Sequence, residues 1–576
     1  MKTKSQKSYI SNDWCEEPVS KYSDGLRYYL LVAVVGLLAA LIAVGLYLLY
    51  SALWNFTQNA FDYSVLLLLP ILFISIGLPY ALIKWFADTK ITGSGTHTVL
   101  EAYHLTNGEV SLKDTIVKPT AAILTIGLGS SAGPEGPSLL AGGGVAAALS
   151  RRFKVQADLR RRLFISGAAA GLAATFRTPL TAILFALEIP YKNDLDRETF
   201  IEAAIASVPA YLLSVAVLGS EPIFGVTGTS VLTFNDIALS LLLGLLCGFY
   251  AVFFTKTFSW TERLSIKLRR RIGNLGLAWL GAVLLTVSGI FSLYTLGVGL
   301  HLVQAIIQGT AFSIGILALI VLLKTFAASV TLNFGGSGGL FFPTIVVGAG
   351  IGYIFSSIFN ANLTVMFIAV GMAALLSGTH KILLTPVAFV VESLGGVFAI
   401  PALLASGVSY LVSGKHSFYP LQPRTRLRTE ELALERFYLK GEELIPEKLK
   451  STPAIEFMTK NPIMLHQGTT VREALRAFES TKLRVLPVVD NKSHVVGVVN
   501  LEDLGYMDVR RQEISISETV MHKPAIVGEE VTLEQVTQFI MEKQEDHVFV
   551  EGADSKLAGV ISGIDVVKKI LELLSS

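Results

Sequence analysis

Charge-free runs and glycine clusters divide the chain into a long lipid-compatible part and a shorter water-soluble one. Residues 1–27 are polar and of mixed charge; residues 28–61 then run for 34 positions without a charge, long enough to span a bilayer with some tilt. That run is too long, and its lead-in too acidic, for a secretory signal peptide. Residues 63–83 form a second uncharged stretch, which Pro70 and Pro79 are expected to break. From there to about Gly414, apolar runs alternate with glycine-rich clusters, notably at 127–133 and 335–339. Residues 325–379 carry no formal charge over 55 positions, too long for one helix and too rich in glycine for one core. After Gln422 the pattern changes to a charged linker at 423–452, then to short alternating strand-like and helix-like segments.

Composition narrows the class. Charged residues make up 16% of the chain and hydrophobic ones 52%, against about 25% charge in soluble proteins, which excludes an ordinary cytosolic enzyme. Two cysteines, Cys15 and Cys247, exclude a disulfide scaffold, and a net charge of +2 leaves no footprint for nucleic acid. The chain reads as a multi-pass membrane protein. Irregular backbone at membrane depth survives only where protein or a wet cavity encloses it, so broken helices around a site point to a channel or transporter. A single glycine cluster can also serve only to let helices pack closely. Two basic clusters, at 151–162 and 256–271, are expected on the cytoplasmic side, with the basic N-terminal segment (1–25) and the C-terminus.

The membrane part repeats itself. Residues 167–188 align without gaps on 371–392, an offset of 204, and Gly133-x-Glu-Gly-Pro137 aligns on Gly339-x-Phe-Phe-Pro343 at an offset of 206. Each half therefore presents a glycine-rich entry to a helix. Transporter halves of this kind often have opposite topology, which brings their broken helices together near the midplane. The tail repeats too: Gly497–Asp503 and Gly559–Asp565 lie 62 residues apart.

Three glutamates stand in the apolar part. Between Asp114 and Asp194 the acids are Glu135, Asp158 and Glu188, and between Arg271 and Glu430 there is only Glu392. Ionisable groups within membrane segments are costly and mark function by default. Glu188 and Glu392 occupy matching repeat positions at the ends of apolar runs, which suggests a shared structural job such as satisfying backbone donors. Glu135 sits where a helix should begin. Helix N-termini carry about +0.5 charge and unpaired N–H groups, and so attract anions. A carboxylate there can fill the place a transported anion needs. Burial favours its neutral form and N–H donors its ionised form, so the group can gate a path; a plain capping role is the alternative. Gly93-Ser94-Gly95 and Gly338-Gly339-Leu340-Phe341 look like two further helix starts. Their hydroxyl and N–H groups suit binding that is strong enough to dehydrate an ion yet weak enough to release it.

These residues resemble the CLC family of chloride channels and chloride/proton exchangers. The resemblance covers about 26–422 (repeats about 26–220 and 233–422), and the tail resembles the paired CBS domains of many members, at 453–508 and 515–576. Its most specific elements are Gly133-x-Glu-Gly-Pro137, the 167–174 stretch, Gly339-Leu-Phe-x-Pro343 and Ser417-Phe-Tyr-Pro-x-Gln422. It implies an all-α polytopic membrane domain of two inverted repeats with broken helices, plus an α/β CBS pair. It also implies a homodimer with one anion pathway per subunit. Chloride would be held by the Ser94 and Tyr419 hydroxyls, with N–H groups of Gly136, Leu340 and Phe341 nearby, and Glu135 matches the gating glutamate. Ser94, where nitrate-preferring members tend to have proline, favours chloride.

The departures carry information. Thr96 and His97 stand where the family usually has Ile-Pro, and Pro134 stands where a basic residue is usual, which should weaken anion attraction at the outer mouth. His97 can titrate near neutral pH, although a structural histidine is the plainer reading. Many exchangers carry a second glutamate at position 189, relaying protons from the cytoplasm. Ile189 cannot carry a proton, so the expectation leans to uncoupled chloride conduction, with proton-coupled exchange as the alternative. In the tail, Ser562 and Asp565 match the CBS pattern for a nucleotide ribose, and Asn500 and Asp503 match it partly. The expected ligand is an adenine nucleotide such as ATP or AMP, with no cofactor required for transport. A CBS-containing magnesium transporter is a distant alternative, disfavoured because magnesium prefers clustered carboxylates. No nucleophile elbow or phosphate loop supports an enzyme.

Overall fold

The computed structural model describes residues 21–221, 223–224, 232–359, 363–423, 425, 451–481, 483, 485–501, 504, 515–518, 521–543, 547–552 and 554–575. They belong to two compact units, Met1–Arg426 and Leu427–Ser576.

The first unit is helical. Its first half holds α1 (Lys21–Tyr63), α2 (Leu68–Phe86), α3 (Gly95–Leu105), α4 (Leu112–Gly127), α5 (Glu135–Arg152), α6 (Ala157–Phe176), α7 (Pro179–Glu188) and α8 (Phe200–Leu218). The second half holds α9 (Phe234–Phe291), α10 (Leu300–Ile307), α11 (Ile314–Asn333), α12 (Phe341–Ile358), α13 (Thr364–His380), α14 (Leu384–Leu394) and α15 (Ala399–Val412). Among the described residues, six helices are long and apolar enough to cross a membrane. The 34-residue uncharged run becomes the 43-residue α1. The expected break in the second run does not occur, because α2 continues through Pro79. Pro70 falls in the first turn of α2, where a missing N–H costs nothing, and Pro79 lies on the buried face of the helix, where neighbours let a membrane helix tolerate a proline. The break comes instead in α9, at Gly273 (φ 71°, ψ −178°), a conformation open to glycine and closed to residues with a Cβ. The basic cluster at 256–271 ends just before it.

The two halves are related by inversion. Gly133 and Gly339, matching positions of the repeat, pair antiparallel, each N–H donating to the other's carbonyl at 2.9 and 2.8 Å. Glu188, at the end of α7, accepts the N–H groups of Leu383, Leu384 and Thr385 at the start of α14 (2.9, 2.7 and 2.7 Å). Glu392, near the end of α14, accepts those of Leu180 and Thr181 at the start of α7 (2.9 and 2.8 Å). Corresponding helices thus lie end to opposite end, as a pseudo-two-fold axis in the membrane plane requires. The glutamates do the backbone-satisfying work expected of them, filling donors that a helix start leaves unpaired.

Glycine serves close packing at the matching helix crossings. A Cβ on Gly142 of α5 would stand 2.1 Å from the Gly167 carbonyl oxygen of α6, and one on Gly348 of α12 would stand 2.4 Å from that of Gly371 of α13. Helices α6 and α13 then end at matching left-handed residues, Arg177 (φ 56°) and Lys381 (φ 58°). Lipid supplies no hydrophobic drive between helices, so such packing must hold the bundle together. At its centre Phe176 packs on Phe341, Phe342 and Phe389 with ring centroids 5.4, 4.7 and 6.3 Å apart.

The second unit is α/β and also repeats. Strands β5 (Val485–Val489) and β6 (Val495–Asn500) form an antiparallel pair with β4 (Leu465–His466) parallel to β5. Strands β8 (His547–Glu551) and β9 (Leu557–Ser562) repeat the arrangement with β7 (Ile526–Gly528), and β3 (Thr459–Lys460) joins β9. The two amphipathic helices that cover these sheets, Val471–Thr481 and Leu533–Lys543, start 62 residues apart, the spacing read from the sequence.

Candidate functional site

Three helix starts meet in the first unit. The short strand β1 (Gly93–Ser94), which leads into α3, pairs in parallel with β2 (Ser337–Gly338), which leads into α12. The Gly133–Gly339 pair ties in the start of α5. The approach requires glycine: a Cβ on Gly95 would lie 2.6 Å from the Gly136 carbonyl, and one on Gly136 2.6 Å from the Gly338 oxygen. Their partial positive ends therefore converge.

Glu135 is the first residue of α5 and is 1% exposed. Its side chain reaches across so that Oε1 accepts the backbone N–H of Phe341, the first residue of α12. Oε2 is buried without a hydrogen-bond partner. Gly339 and Gly133 make room for the carboxylate, since a Cβ on either would lie 1.9 or 2.0 Å from its oxygens. Leu340, fully buried, precedes Phe341 as the cap of α12. The expected N–H groups of Gly136, Leu340 and Phe341 therefore lie at converging helix starts, with the Phe341 N–H already taken by Glu135.

Ser94 caps α3 but makes no side-chain capping bond, and its Oγ is buried without a partner. Tyr419, 1% exposed, lies against the same helix start. Its ring meets that of His97 at 5.0 Å, and His97 Nε2 bonds the Phe418 carbonyl at 2.8 Å. A second imidazole, His380 at the end of α13, meets the Tyr419 ring at 5.4 Å. His97 Nδ1 and His380 Nε2 are also buried and unpartnered. Unpartnered buried polar atoms thus recur at these helix starts and beside the Tyr419 ring: Ser94 Oγ, Glu135 Oε2, His97 Nδ1 and His380 Nε2. Buried polar groups are nearly always satisfied, so the cluster is built to take something polar. Hydroxyls beside helix starts suit a weakly hydrated anion.

Ile189 is fully buried, and its carbonyl accepts Gln422 Nε2 at 2.9 Å. The same Nε2 reaches the His380 carbonyl at 3.3 Å, so position 189 and His380 are joined through one side chain. His380 was not singled out by the sequence pattern. Its signal is that it ends a charge-free run and stands opposite Phe176 in the repeat.

In the second unit, Ser562 and Asp565 satisfy one another: Ser562 N–H and Oγ donate to Asp565 Oδ2 at 2.9 and 2.7 Å, capping the helix Gly563–Ser575. Asn500 ends β6, paired in register with Val485. Asp503 lies outside the described residues.

The family model described as "Voltage gated chloride channel" matches residues 76–414, and the CBS domain model matches 454–504. An uncharacterized protein of Methanocaldococcus jannaschii is 30% identical over 60% of this chain and 84% of its own length. The H(+)/Cl(-) exchange transporter ClcA of Vibrio campbellii is 27% identical over 74% of this chain and 97% of its own. Among solved structures, a CLC-type fluoride/proton antiporter aligns over 71% of this chain and 100% of its own with a TM-score of 0.62 at 22% identity, a likeness of fold.

Proposed function

The chain belongs to the voltage-gated chloride channel family of anion-transporting membrane proteins, and from that premise we propose that it exchanges chloride for protons. The observation that carries this reading is the position of Glu135. One buried carboxylate holds the α12 amide with one oxygen and leaves the other free, so it competes with an anion when ionised and gives way when protonated. A group that alternates between proton and helix start couples the two ions by mutual exclusion. Similarity to a named exchange transporter over nearly its whole length supports coupling more strongly than the lean to uncoupled conduction read from Ile189. That second reading keeps one observation in its favour, the apolar, fully buried side chain at 189.

The decisive experiment is transport by the purified protein in liposomes, with a chloride gradient imposed at equal pH on both sides. Exchange predicts uphill proton movement that Glu135→Gln abolishes while chloride still passes. Chloride flux without proton movement would favour the uncoupled reading.

The Ser94 and Tyr419 hydroxyls, with the helix-start N–H groups, form the chloride site in this account. The protein works as a homodimer with one pathway per subunit, and both termini lie in the cytoplasm, where the basic clusters belong. An adenine nucleotide bound through Ser562 and Asp565 modulates transport; the ribose would replace the Ser562–Asp565 bond. Calorimetry of the full chain with ATP and AMP tests this, with heat expected from the intact protein and lost in Asp565→Ala.

A further inference from the structure

The two imidazoles beside Tyr419 are arranged alike. Each commits one nitrogen to the protein and leaves the other buried without a partner. A carbonyl can only accept, so the His97 nitrogen facing Phe418, Nε2, carries the hydrogen. Its Nδ1 is then a bare lone pair. His380 Nδ1 lies 2.9 Å from Thr379 Oγ1, whose own hydrogen goes to the Leu375 carbonyl at 2.9 Å. Nδ1 is therefore the donor, and His380 Nε2 is the second bare lone pair. These assignments follow from the hydrogen-bond partners.

A bare nitrogen repels an anion, and a protonated one donates to it. Both rings pack on the ring of Tyr419, at 5.0 and 5.4 Å, and the Tyr419 hydroxyl belongs to the proposed anion site. A second cation there would meet the first in a buried place, so the pair takes up one proton.

Other ionisable groups near the pair are committed elsewhere. Lys381, next to His380, donates to the Tyr410 carbonyl and the Ser413 hydroxyl at 2.9 and 2.6 Å. Glu188 of α7 is spent on the start of α14. His104 of α3 bonds the Pro190 carbonyl, and Tyr103 of α3 bonds Asp196. Among the described residues, Glu135 of α5 is then the acid that adjoins the pair, and Phe341 touches both, its N–H on Glu135 and its ring 6.1 Å from His380.

We propose that His97 and His380 form a proton-holding pair linked to the anion site, so that uptake of one proton and binding of one chloride favour each other. The proton sits on His97 Nδ1 or His380 Nε2, and its charge is balanced by the bound chloride. When it leaves, an N–H bond breaks and an O–H bond forms at Glu135 Oε2, giving a neutral imidazole and a neutral acid. The carboxyl then releases the α12 amide to the anion. Through Gln422 the pair adjoins position 189, and so it supplies the proton site that Ile189 cannot. This last role rests on the exchange reading; the linkage itself does not.

The test removes Glu135 from the proton balance first. In Glu135→Gln, calorimetry in two buffers of different ionisation enthalpy measures protons taken up per chloride bound. The expected result is net uptake, with chloride affinity rising about threefold or more as the pH is lowered, by linkage. Adding His97→Gln and His380→Asn keeps an amide at each committed nitrogen and should abolish the uptake. Glu135→Gln binding chloride with no uptake overturns the proposal without any histidine variant, as does uptake that persists in the triple variant. With Glu135 intact, the double histidine variant should lose at least about tenfold in proton flux for about threefold or less in chloride flux. Linkage present in a protein that moves no protons would sink the exchange reading and leave the pair standing; proton transport without linkage would do the reverse.

Discussion

The Glu135 carboxylate accepts the backbone N–H of Phe341, its own counterpart 206 residues further along the inverted repeat. One half of the molecule thus plugs the helix start of the other. The plug fits because Gly339 lacks a side chain, and a Cβ there would stand 1.9 Å from Oε1. Gly339→Ala should therefore expel the carboxylate and behave as Glu135→Ala does. Chloride flux measured across a pH series should flatten in both variants. A Gly339→Ala protein that keeps the pH profile of the parent would show that the carboxylate does not gate from this position.

Glu188 and Glu392 should differ in what they contribute. Glu188, 5% exposed, fills three backbone N–H groups and the Thr385 hydroxyl (2.6 Å). Glu392 fills two N–H groups and the Thr181 hydroxyl (2.6 Å). Hydrogen bonds to a charged group contribute about 1.5–3 kcal/mol each, and each buried donor left unpaired costs about 1–3 kcal/mol. Glu188→Ala should lower stability further than Glu392→Ala, each by at least about 2 kcal/mol. Unfolding by SDS titration in mixed micelles reads the order; equal or reversed losses would contradict it.

The helix crossings make a sharper steric prediction. Gly142→Ala and Gly348→Ala place a methyl against backbone, which cannot yield, and should abolish folded yield. Gly407, with nothing within 4 Å, serves as the control. Gly407→Ala should purify normally and melt no lower, because alanine in a helix is favoured over glycine by about 0.5–1 kcal/mol. Size-exclusion profiles of the three variants decide it.

Much of this arrangement is legible in residue order. The gapless match of 167–188 on 371–392 foretells matching helix ends, and Gly-x-Glu-Gly-Pro foretells a carboxylate at a helix start. The sense of the repeat is not legible, because inversion is written in which ends touch, and the Gly133–Gly339 pair and the exchanged glutamates exist only in space. Pro79 misleads because a proline in a membrane helix need not end it when neighbours enclose the freed carbonyl. The uncharged run that ends at His380 hides that residue, whose importance comes from Tyr419 and Gln422, 39 and 42 residues later. Ser562 and Asp565 are legible as a pair, but not that they would satisfy each other.

In the second unit, Asp490 closes the turn between β5 and β6. The His494 N–H first, then the Lys492 N–H, hold its carboxyl below the usual range. A depressed folded-state value stabilises the turn above the unfolded carboxylate range, and the contribution is lost as pH falls through the folded value. Hydrogen-exchange protection of the His494 amide, corrected for intrinsic rate, should fall in acid below that range and at neutral pH in Asp490→Ala. Protection unchanged in either would contradict the assignment.

The central claim, that Glu135 couples chloride to protons, is tested most directly by a reversal potential. Vesicles holding the full chain are given a fixed chloride gradient, and the voltage of zero net chloride movement is found with and without a pH gradient. Coupled exchange predicts that the pH gradient moves this voltage and that Glu135→Gln returns it to the chloride equilibrium value. A voltage that stays at chloride equilibrium whatever the pH gradient would contradict the account and leave an uncoupled pathway.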